Sequence, residues 1–379
     1  MLILPPLSLY IHIPWCVRKC PYCDFNSHAA DSELPEDEYV AALLADIGND
    51  LEYVQGRPIH SIFFGGGTPS LFSANAIATI LQGVEQKVGF DGDIEITLEA
   101  NPGTFEQEKF AGFRAAGVNR LSIGIQSFDD LHLQQLGRIH SAREAHTVAS
   151  MARAAGFDNF NLDLIHGLPG QTEEDALNDL RRAIAIEPNH LSWYQLTIEP
   201  NTAFYRQPPQ LPKDSVLETI FDSGQQLLAD SGFQQYEVSA YARDGQASSH
   251  NLNYWQFGDY LGIGAGAHGK ITRLDTKEIV RTRKTRTPKD YLSRSDHYCA
   301  SVETIETEQL PVEFLMNALR LNNGVEAKLF ESHTGMPLAT IQPAWRQLQQ
   351  RGLTTNDQHR LQPTATGHRF LNTLLEAFL

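Results

Sequence analysis

The sequence predicts an α/β fold: an open, partial TIM-like (β/α)6 barrel, followed by a smaller, mostly helical C-terminal domain. Three observations predict it. Strand-like and helix-like patterns alternate along the first half of the chain at the interval typical of a parallel sheet. The number of strand–helix units is six, fewer than the eight of a closed barrel. After about Glu308 the pattern changes to helices joined by short loops.

The strands of the predicted barrel are six short apolar runs. They span Leu7–Ile13, 61–64, 94–99, 121–125, 160–164 and 190–196. Segments with helical periodicity, 36–53 and 74–87, separate the first three runs. In a fold of this kind the active site lies just past the C-terminal ends of the strands, so polar residues at those positions are the candidates for function.

We expect three regions: a barrel at 1–240, an extension at 241–307 and a C-terminal domain at 308–379. In the last region, 312–321 and 343–350 have the pattern of helices, and 353–355 with 359–362 that of a small hairpin. Pro363 is expected to start a final helix with one buried face, formed by Phe370, Leu371, Leu374, Leu375, Phe378 and Leu379. This arrangement resembles a winged-helix module, although the acidic charge argues against DNA binding.

Composition indicates a globular protein of a reducing compartment. The chain has 379 residues and a net charge of −16, which argues against nucleic-acid partners and against adhesion to an anionic membrane. Its four cysteines form no paired framework, and its first residues lack the basic segment of a signal peptide. No apolar run is long enough to span a bilayer. We expect a cytoplasmic protein, with the apolar C-terminal face as a candidate for transient membrane contact.

Three of the four cysteines lie on one short loop after the first strand, as Cys16, Cys20 and Cys23. Three thiolates can ligate three irons of a [4Fe–4S] cluster and leave the fourth iron open to a small molecule. One alternative is a zinc ion held by the same cysteines and His12 or His28. Zinc spacings are usually paired C-x-x-C units, which favours the cluster.

The C-x-x-x-C-x-x-C spacing of this loop resembles the signature of the radical S-adenosylmethionine (SAM) superfamily. That resemblance implies that the open iron takes the amino and carboxylate groups of SAM. It also implies that an electron from the reduced cluster releases a 5′-deoxyadenosyl radical. Trp15, Tyr22 and Phe25 would then form an apolar shell around the cluster.

Polar motifs follow the next strands. Gly65, Gly66 and Gly67 have no Cβ atoms, so their backbone can approach a ligand closely. Glu99, at the end of the third strand, is placed to accept hydrogen bonds from ribose hydroxyls. Each motif alone fits a tight turn or a solvated strand end equally well, and their shared position after the cysteine loop favours a ligand site. Gln126, Arg138 and Asp163 continue the series, although an Arg–Asp pair is often only structural.

These motifs together resemble the family of oxygen-independent coproporphyrinogen III dehydrogenase, over nearly the whole chain. The resemblance is carried by Tyr10-x-His12-Ile13-Pro14-x-Cys16, Gly65–Pro69, Glu99–Pro102, Gly124–Phe128 and Asn161–Pro169. It implies contacts to the cluster-bound SAM from Tyr10, Gly66 and Glu99. It further implies a second SAM site formed by Tyr22, Gly67, Thr68, Gln126, Arg138, Asp163 and Thr197.

The sequence departs from the dehydrogenases in three places. Phe25 stands where they carry a further cysteine, only nine residues precede Tyr10, and His250-Asn251-Leu252-Asn253-Tyr254-Trp255 is added. The H-N-x-x-Y-W motif resembles that of the heme-chaperone members of the family. This resemblance implies a carrier that binds heme and delivers it to membrane-bound respiratory enzymes. The alternative is the enzyme: oxidative decarboxylation of coproporphyrinogen III propionates by the deoxyadenosyl radical.

The H-N-x-x-Y-W motif is also chemically suited to heme. The imidazole of His250 is a good axial ligand, Tyr254 and Trp255 can flank a porphyrin face, and Asn251 completes the motif. Turn signals on both sides predict an exposed segment. Taken alone, a His-Asn pair is more often a capping or loop element. His268, on a glycine-rich stretch, is a second candidate ligand.

A basic cluster and a lone cysteine complete the candidates. Arg281, Arg283, Lys284 and Arg286 fit a solvated face, or a site for heme propionates or an acidic partner. Cys299 is expected to be an inert, partly buried thiol. The heme donor, and the choice between monomer and dimer, stay open.

Overall fold

A mixed sheet of twelve strands forms the centre of the structure, a computed structural model that describes residues 1–30, 33–103 and 108–379. The strands of the described chain are β1 (Leu7–Ile13), β2 (Trp15–Cys16), β3 (His28–Ala29), β4 (Ile59–Gly66), β5 (Phe90–Ala100), β6 (Arg120–Gln126), β7 (Phe160–His166), β8 (His190–Gln195), β9 (Gln234–Glu237), β10 (Ala240–Ala242), β11 (Asp259–Ile263), β12 (His268–Arg273), β13 (Glu278–Lys284), β14 (Cys299–Thr304), β15 (Val325–Glu326) and β16 (Arg360–Leu361).

The middle of this sheet has the predicted order. Strands β1, β4, β5, β6, β7 and β8 are adjacent and parallel, as expected when each strand is followed by a helical crossover. Each of the six predicted apolar runs coincides with one of these strands to within a residue or lies inside it. The α/β class is therefore confirmed, with a parallel sheet at its centre.

The sheet continues beyond both edges of the parallel core. At the β8 edge, β10 and β9 add as antiparallel strands. At the β1 edge, β11 pairs parallel to β1, and β12, β13 and β14 follow as an antiparallel meander. The 241–307 extension thus contributes four strands to the central sheet, which the sequence pattern did not predict. The boundaries of the three regions stay a prediction.

Helices connect the strands and flank the sheet. In the described chain they are α1 (Glu36–Asn49), α2 (Leu51–Val54), α3 (Ala74–Lys87), α4 (Phe110–Ala116), α5 (Asp130–Gln135), α6 (Ala142–Ala154), α7 (Glu173–Ala185), α8 (Ala203–Arg206), α9 (Asp214–Asp230), α10 (Ser249–Trp255), α11 (Pro288–Leu292), α12 (Leu310–Ala318), α13 (Ala327–Thr334), α14 (Gln342–Gln350), α15 (Ala365–Arg369) and α16 (Leu371–Leu375), with 3₁₀ turns at Pro69–Leu71, Leu338–Thr340 and Glu376–Phe378. Capping boxes start α6 and α7, which fixes where these helices begin.

The C-terminal region has its own apolar core, built around α12 and α14 near their predicted positions. The predicted hairpin is present in a short form: Thr354 bridges to Pro363, the backbone N–H of Thr355 donates to the carbonyl of Gln362 at 3.0 Å, and β16 pairs with β15 as well. The predicted final helix is interrupted at Phe370. Phe370 is 55% exposed and Leu379 is 92% exposed, so the prediction of one continuous buried face was wrong at these two residues. Leu374 is fully buried. The winged-helix resemblance stays a prediction.

None of the helices in the described ranges combines the length and the apolar character needed to cross a membrane.

The basic cluster divides between solvent and internal contacts: Arg283 and Arg286 are exposed, as predicted for a solvated face, whereas Arg281 and Lys284 contact carboxylates. Lys284 is buried, and its ammonium lies 2.6 Å from a carboxylate oxygen of Asp46 and 2.7 Å from one of Asp50. Arg281 pairs with Glu313 of α12. The predicted solvated face was therefore wrong for Lys284, since its charge is matched inside the protein, where it joins the meander to α1.

We expect Lys284→Met to destabilise the protein strongly, because it leaves the buried carboxylates of Asp46 and Asp50 without their cation. The loss in free energy of unfolding should be about 3–5 kcal/mol, measured by urea denaturation of the apoprotein. Arg283→Met is the matched control: this neighbour is 56% exposed and lies 3.7 Å from Glu303, so its loss should stay below about 1 kcal/mol. Equal stability of the two variants would contradict the assignment.

Candidate functional site

The cysteine loop leaves the C-terminal end of β1 and is fastened at both of its ends. Strand β2 pairs with β3, so Cys16 at the start of the loop lies beside Ala29 at its end. Inside the loop, the backbone N–H of Cys23 donates to the carbonyl of Cys20 at 3.2 Å. All three thiols line one cavity of about 420 Å³. The sequence prediction that they face a common site is therefore supported by their placement.

The triple glycine approaches the cysteine loop itself. Gly67 donates to the carbonyl of Ile13 at 2.8 Å, and a Cβ on Gly67 would lie 2.4 Å from the carbonyl oxygen of Trp15. Gly66 has φ of 115°, and a Cβ there would lie 2.5 Å from the ring of His12. Any larger residue would push the β4 turn away from the loop that carries the thiols.

Asn26 ties the far side of the cysteine loop to the extension. Its side-chain amide donates to the carbonyls of Ala265, at 2.9 Å, and Arg286, at 2.8 Å. Its own carbonyl is hydrogen-bonded to Nε2 of His12, at 2.9 Å, while Nδ1 of the same ring meets the hydroxyl of Tyr10 at 3.0 Å. Both nitrogens of His12 are thus engaged, which leaves neither available for a metal.

The thiols fit an iron–sulfur cluster better than a single zinc ion. In the described parts of the chain, no three His, Cys, Asp or Glu side chains converge as one metal ion requires. A cubane cluster gives each thiolate its own iron, so its ligands stand further apart. His12 is already bonded through both nitrogens, and Nε2 of His28 contacts the side chain of Asn26 at 3.3 Å. His12 is therefore excluded as the fourth zinc ligand, and His28 would have to use Nδ1.

Electrostatics around the thiols favour ligation over free thiolates. Burial raises the pKa of the Cys16 and Cys23 thiols, so both stay protonated unless a metal replaces the proton. Nη1 of Arg138 lies 3.7 Å from Sγ of Cys20, and Oγ of Ser27 lies 3.7 Å from Sγ of Cys23. These contacts place a cation and a hydroxyl beside the sulfur atoms, where they would tune a bound cluster.

Two carboxyl groups face the same cavity from β5 and β7. Glu99 accepts a hydrogen bond from the backbone N–H of Gly66 at 3.2 Å. Burial, and then the nearby Asp163, raise the pKa of Glu99 to about 8. Burial also raises the pKa of Asp163, which accepts from the side chains of Ser122 and Asn161. At neutral pH Glu99 holds a proton, and a cationic ligand beside these two carboxyl groups would favour its ionisation.

The structure brings most of the predicted SAM residues together. Those that line the cavity with the three cysteines are Tyr22, Gly66, Gly67, Thr68, Glu99, Gln126, Arg138, Asp163 and Thr197. Tyr10 lies behind the glycine turn, in contact with His12. Of the heme-motif residues, only Asn251 reaches the cavity wall. Assignment of each residue to SAM or heme stays a prediction.

Sequence reasoning missed the deep end of the cavity. Arg120, Asn161 and His190 line it, each at or next to the first residue of a parallel strand. Asn101, which bonds Arg138 at 2.6 Å, was also missed as an individual ligand. A signal was present, since a charged or polar residue at the start of an otherwise apolar strand is unusual in a parallel sheet. We searched only the C-terminal ends of the strands.

The prediction that the H-N-x-x-Y-W motif is exposed was wrong. It forms α10, and His250 is 1% exposed. Nδ1 of His250 lies 3.0 Å from Oγ of Ser61, and its ring stacks on Phe63 at a centroid distance of 5.2 Å. Burial lowers the pKa of His250 to about 3, so the ring is neutral. The turn signals mark the ends of the helix but carry no information about its burial.

Contacts from β1, β4 and β5 hold α10 in place. The carboxylate of Glu95 accepts from the hydroxyl of Ser248 and from the backbone N–H groups of Ser249 and His250, at 3.1–3.2 Å. At the other end, the amide of Asn253 donates to Oγ of Ser8 at 2.8 Å. Since Ser8, Ser61 and Glu95 lie away from the cysteine-loop ends of their strands, α10 closes the opposite end of the cavity.

The remaining motif residues also pack inside the protein. Tyr254 contacts the rings of His250 and Tyr260 edge-on, at 4.7 and 4.4 Å, and Trp255 lies under the guanidinium of Arg320 at 4.2 Å. In contrast, His268 is exposed at the start of β12. Cys299 is partly buried and donates to the carbonyl of Ser301 at 3.1 Å, away from the cavity.

Comparison with known proteins gives the family. The Radical SAM superfamily model matches residues 10–183, and the HemN C-terminal domain model matches residues 305–370. The heme chaperone HemW of Haemophilus influenzae is 53% identical, over 99% of this chain and 98% of that protein. HemW of Escherichia coli is 52% identical over the whole of both chains. The chain belongs to the HemW family.

The fold of this HemW-family chain is that of a related enzyme. The structure of coproporphyrinogen III oxidase (HemN) from Escherichia coli, a radical SAM enzyme, superposes with a TM-score of 0.83. The match covers 99% of this chain and 90% of that one, at 24% identity. Membership of the radical SAM superfamily implies a [4Fe–4S] cluster and SAM, in agreement with the donor set of the cysteine loop.

We expect Asn26→Ala to loosen the cysteine loop, because the carbonyls of Ala265 and Arg286 lose their donor. The free energy of unfolding of the apoprotein should fall by about 1–3 kcal/mol, and iron should leave the reconstituted protein faster in a chelator. Asp24→Ala, at an exposed position of the same loop, is the control and should change neither quantity. Iron release at the wild-type rate from Asn26→Ala would argue against the clamp.

Glu99 should make the stability of the apoprotein depend on pH. Its folded-state pKa of about 8 lies above the unfolded value of 4.5, so folding favours the protonated form. This contribution is fully present below about pH 4.5 and is lost as pH rises through about 8. Thermal unfolding measures this contribution between pH 5 and 8.5. Over that range, the free energy of unfolding of Glu99→Gln should rise by on the order of 2 kcal/mol relative to wild type. The exposed control Glu308→Gln should show the same dependence of stability on pH as wild type. A Glu99→Gln profile parallel to that of wild type would refute the raised pKa of Glu99.

Proposed function

We propose that this chain is a heme chaperone, which binds heme and passes it to membrane-bound respiratory enzymes while carrying a [4Fe–4S] cluster and SAM. The supporting observation is the full-length similarity to two proteins named heme chaperone HemW, each more than half identical to this chain. The match spans the cysteine loop, the cavity and the H-N-x-x-Y-W helix together, so it covers every part that the function requires.

In this proposal the cysteine loop holds the cluster, and the cavity holds SAM. Cys16, Cys20 and Cys23 would supply the thiolates, and the open iron would provide a Lewis-acidic, redox-active coordination position. The chain's own residues shape the surroundings: Glu99 holds a proton that a cationic ligand displaces, Asp163 is a second carboxyl group with a raised pKa, and Arg138 compensates charge at Cys20. The exposed ring of Phe25 stands at the mouth.

Heme binding through His250 requires α10 to leave its position. Nε2 of His250 has no hydrogen-bond partner, so this nitrogen is available for iron once the helix separates from Ser61 and Glu95. While α10 is in place, burial lowers the pKa of His250 to about 3, so the ring is neutral before the helix moves. His268 needs no such movement, since it is already exposed. We propose His250 as the heme ligand, and His268 is the alternative ligand to be tested beside it.

The cell-level part of the proposal is a cytoplasmic carrier that makes transient contact with the membrane where its clients reside. Free cysteines on the cluster loop support a reducing compartment. Aromatic and aliphatic side chains exposed around the loop and its neighbours, Val17, Phe25, Leu131 and Ile139, offer apolar contact area.

We expect anaerobically reconstituted protein to bind about one heme per chain and not to convert coproporphyrinogen III. Heme uptake is followed by its Soret absorbance, and turnover by the appearance of protoporphyrinogen. The dehydrogenase alternative shares the cavity but predicts turnover. Rapid turnover without heme uptake would therefore replace the chaperone with the enzyme.

His250→Ala should weaken heme retention and leave the iron and sulfide content unchanged, because α10 and the cysteine loop lie at opposite ends of the cavity. Ser61→Ala is the matched control: it removes the hydrogen bond to the ring but keeps the imidazole. If Ser61→Ala retains heme and His250→Ala loses it, His250 is the ligand. Equal losses in both variants indicate a packing role, and loss only in His268→Ala moves the ligand to β12.

A further inference from the structure

A charged side chain without a matched partner lies at the closed end of the cavity. Arg120 is the first residue of β6, and Gln126, near the cysteine loop, is its last. The rise of a strand places their Cα atoms roughly 20 Å apart. Both residues line the same cavity. A ligand that contacts the guanidinium therefore reaches well beyond the residues assigned to SAM by resemblance.

The guanidinium of Arg120 is buried and poorly paired. Its side chain is 3% exposed, and Nε has no hydrogen-bond partner. Nη1 reaches Oγ1 of Thr97 only at 3.5 Å, and the nearest carboxylate oxygen, on Glu95, is 3.9 Å from Nε. The oxygens of Glu95 are taken by Ser248 and the start of α10 instead. Within the described chain, Nε therefore has no acceptor and Nη1 makes one long hydrogen bond. Burying a guanidinium in this way costs free energy unless a further acceptor is bound.

No neighbouring side chain of the described chain lies within hydrogen-bonding distance of Nε, although the charge of Arg120 opposes the burial that raises the pKa of Asp163. Oδ1 of Asn161 already accepts from Ser192 at 3.1 Å and lies 2.7 Å from Nδ1 of His190. Nε2 of His190 is 2.8 Å from the hydroxyl of Tyr236. These partners satisfy one another, and the space that remains next to Arg120 is the cavity itself.

We propose that Arg120 binds a ligand carboxylate at the closed end of the cavity. A guanidinium offers paired N–H donors that match the two oxygens of a carboxylate, and the low-dielectric surroundings strengthen the pair. Two sources have this chemistry. One is a propionate of heme, an arm that rests on the proposed chaperone function; the other is the amino-acid carboxylate of a SAM molecule that is not bound to the open iron, an arm that does not.

The test compares each ligand with a form that lacks the carboxylate, on full-length reconstituted protein. Heme is compared with heme dimethyl ester, and SAM with decarboxylated SAM. Wild type should bind the carboxylate form of one pair about ten- to a hundredfold more tightly. Arg120→Met should lose that preference. Arg120→Lys should retain part of it, because an ammonium keeps the positive charge but lacks the paired N–H donors of a guanidinium.

Matched controls separate binding from folding. Because Arg120 lies near Glu95, the double variant Glu95→Gln/Arg120→Met keeps the local charge balanced, and Glu95→Gln alone measures what loosening α10 contributes. The wild-type comparison of acid and ester needs no variant at all. A preference in the heme pair that Arg120→Met abolishes assigns a propionate, and the same loss in the SAM pair assigns the amino acid. A SAM preference that survives in Arg120→Met comes from the open iron.

The outcomes also separate this inference from the proposed function. Equal affinity for both members of both pairs overturns the carboxylate site. If wild type binds heme and heme dimethyl ester with equal affinity, the chaperone proposal stands, but Arg120 does not bind a heme propionate. If heme does not bind wild type at all, the chaperone proposal fails, and the SAM pair still decides whether Arg120 holds a carboxylate.

Discussion

The close approach of the β4 turn to the cysteine loop is the constraint on which the site depends. Gly66 and Gly67 bring their backbone against His12 and Trp15, at distances that any Cβ would violate. The thiols, the glycine turn and Glu99 consequently share one cavity mouth. Asn26 then anchors the outer side of the loop to the turn at Ala265, so the loop is held from both sides without a disulfide.

The two ends of the cavity differ in chemistry because different elements build them. The mouth combines sulfur atoms, glycine backbone and two carboxyl groups with raised pKa values. The closed end combines Arg120 with amide, hydroxyl and imidazole groups, and α10 seals it. The helix that carries the heme motif is therefore part of the cavity wall, and any movement of His250 toward solvent also opens the space beside Arg120.

Local patterns predicted the fold well and the site in part. Alternating apolar runs and the C-x-x-x-C-x-x-C spacing are short-range signals, so the six parallel strands and the loop were predictable from the residues themselves. The burial of His250 was not, because it depends on Ser61 and Glu95, which are remote in sequence. The same holds for Lys284: four nearby cations suggested a solvated face, whereas its partners on α1 come from the other end of the chain.

The contact between Ser8 and Asn253 joins residues 245 positions apart, and β11 completes the pairing of β1 only after most of the chain has been made. At typical synthesis rates of about 5–20 residues per second, the first strand waits on the order of ten seconds or longer on the ribosome with one edge open. A nascent chain stalled before Asp259 would expose that edge to other strands.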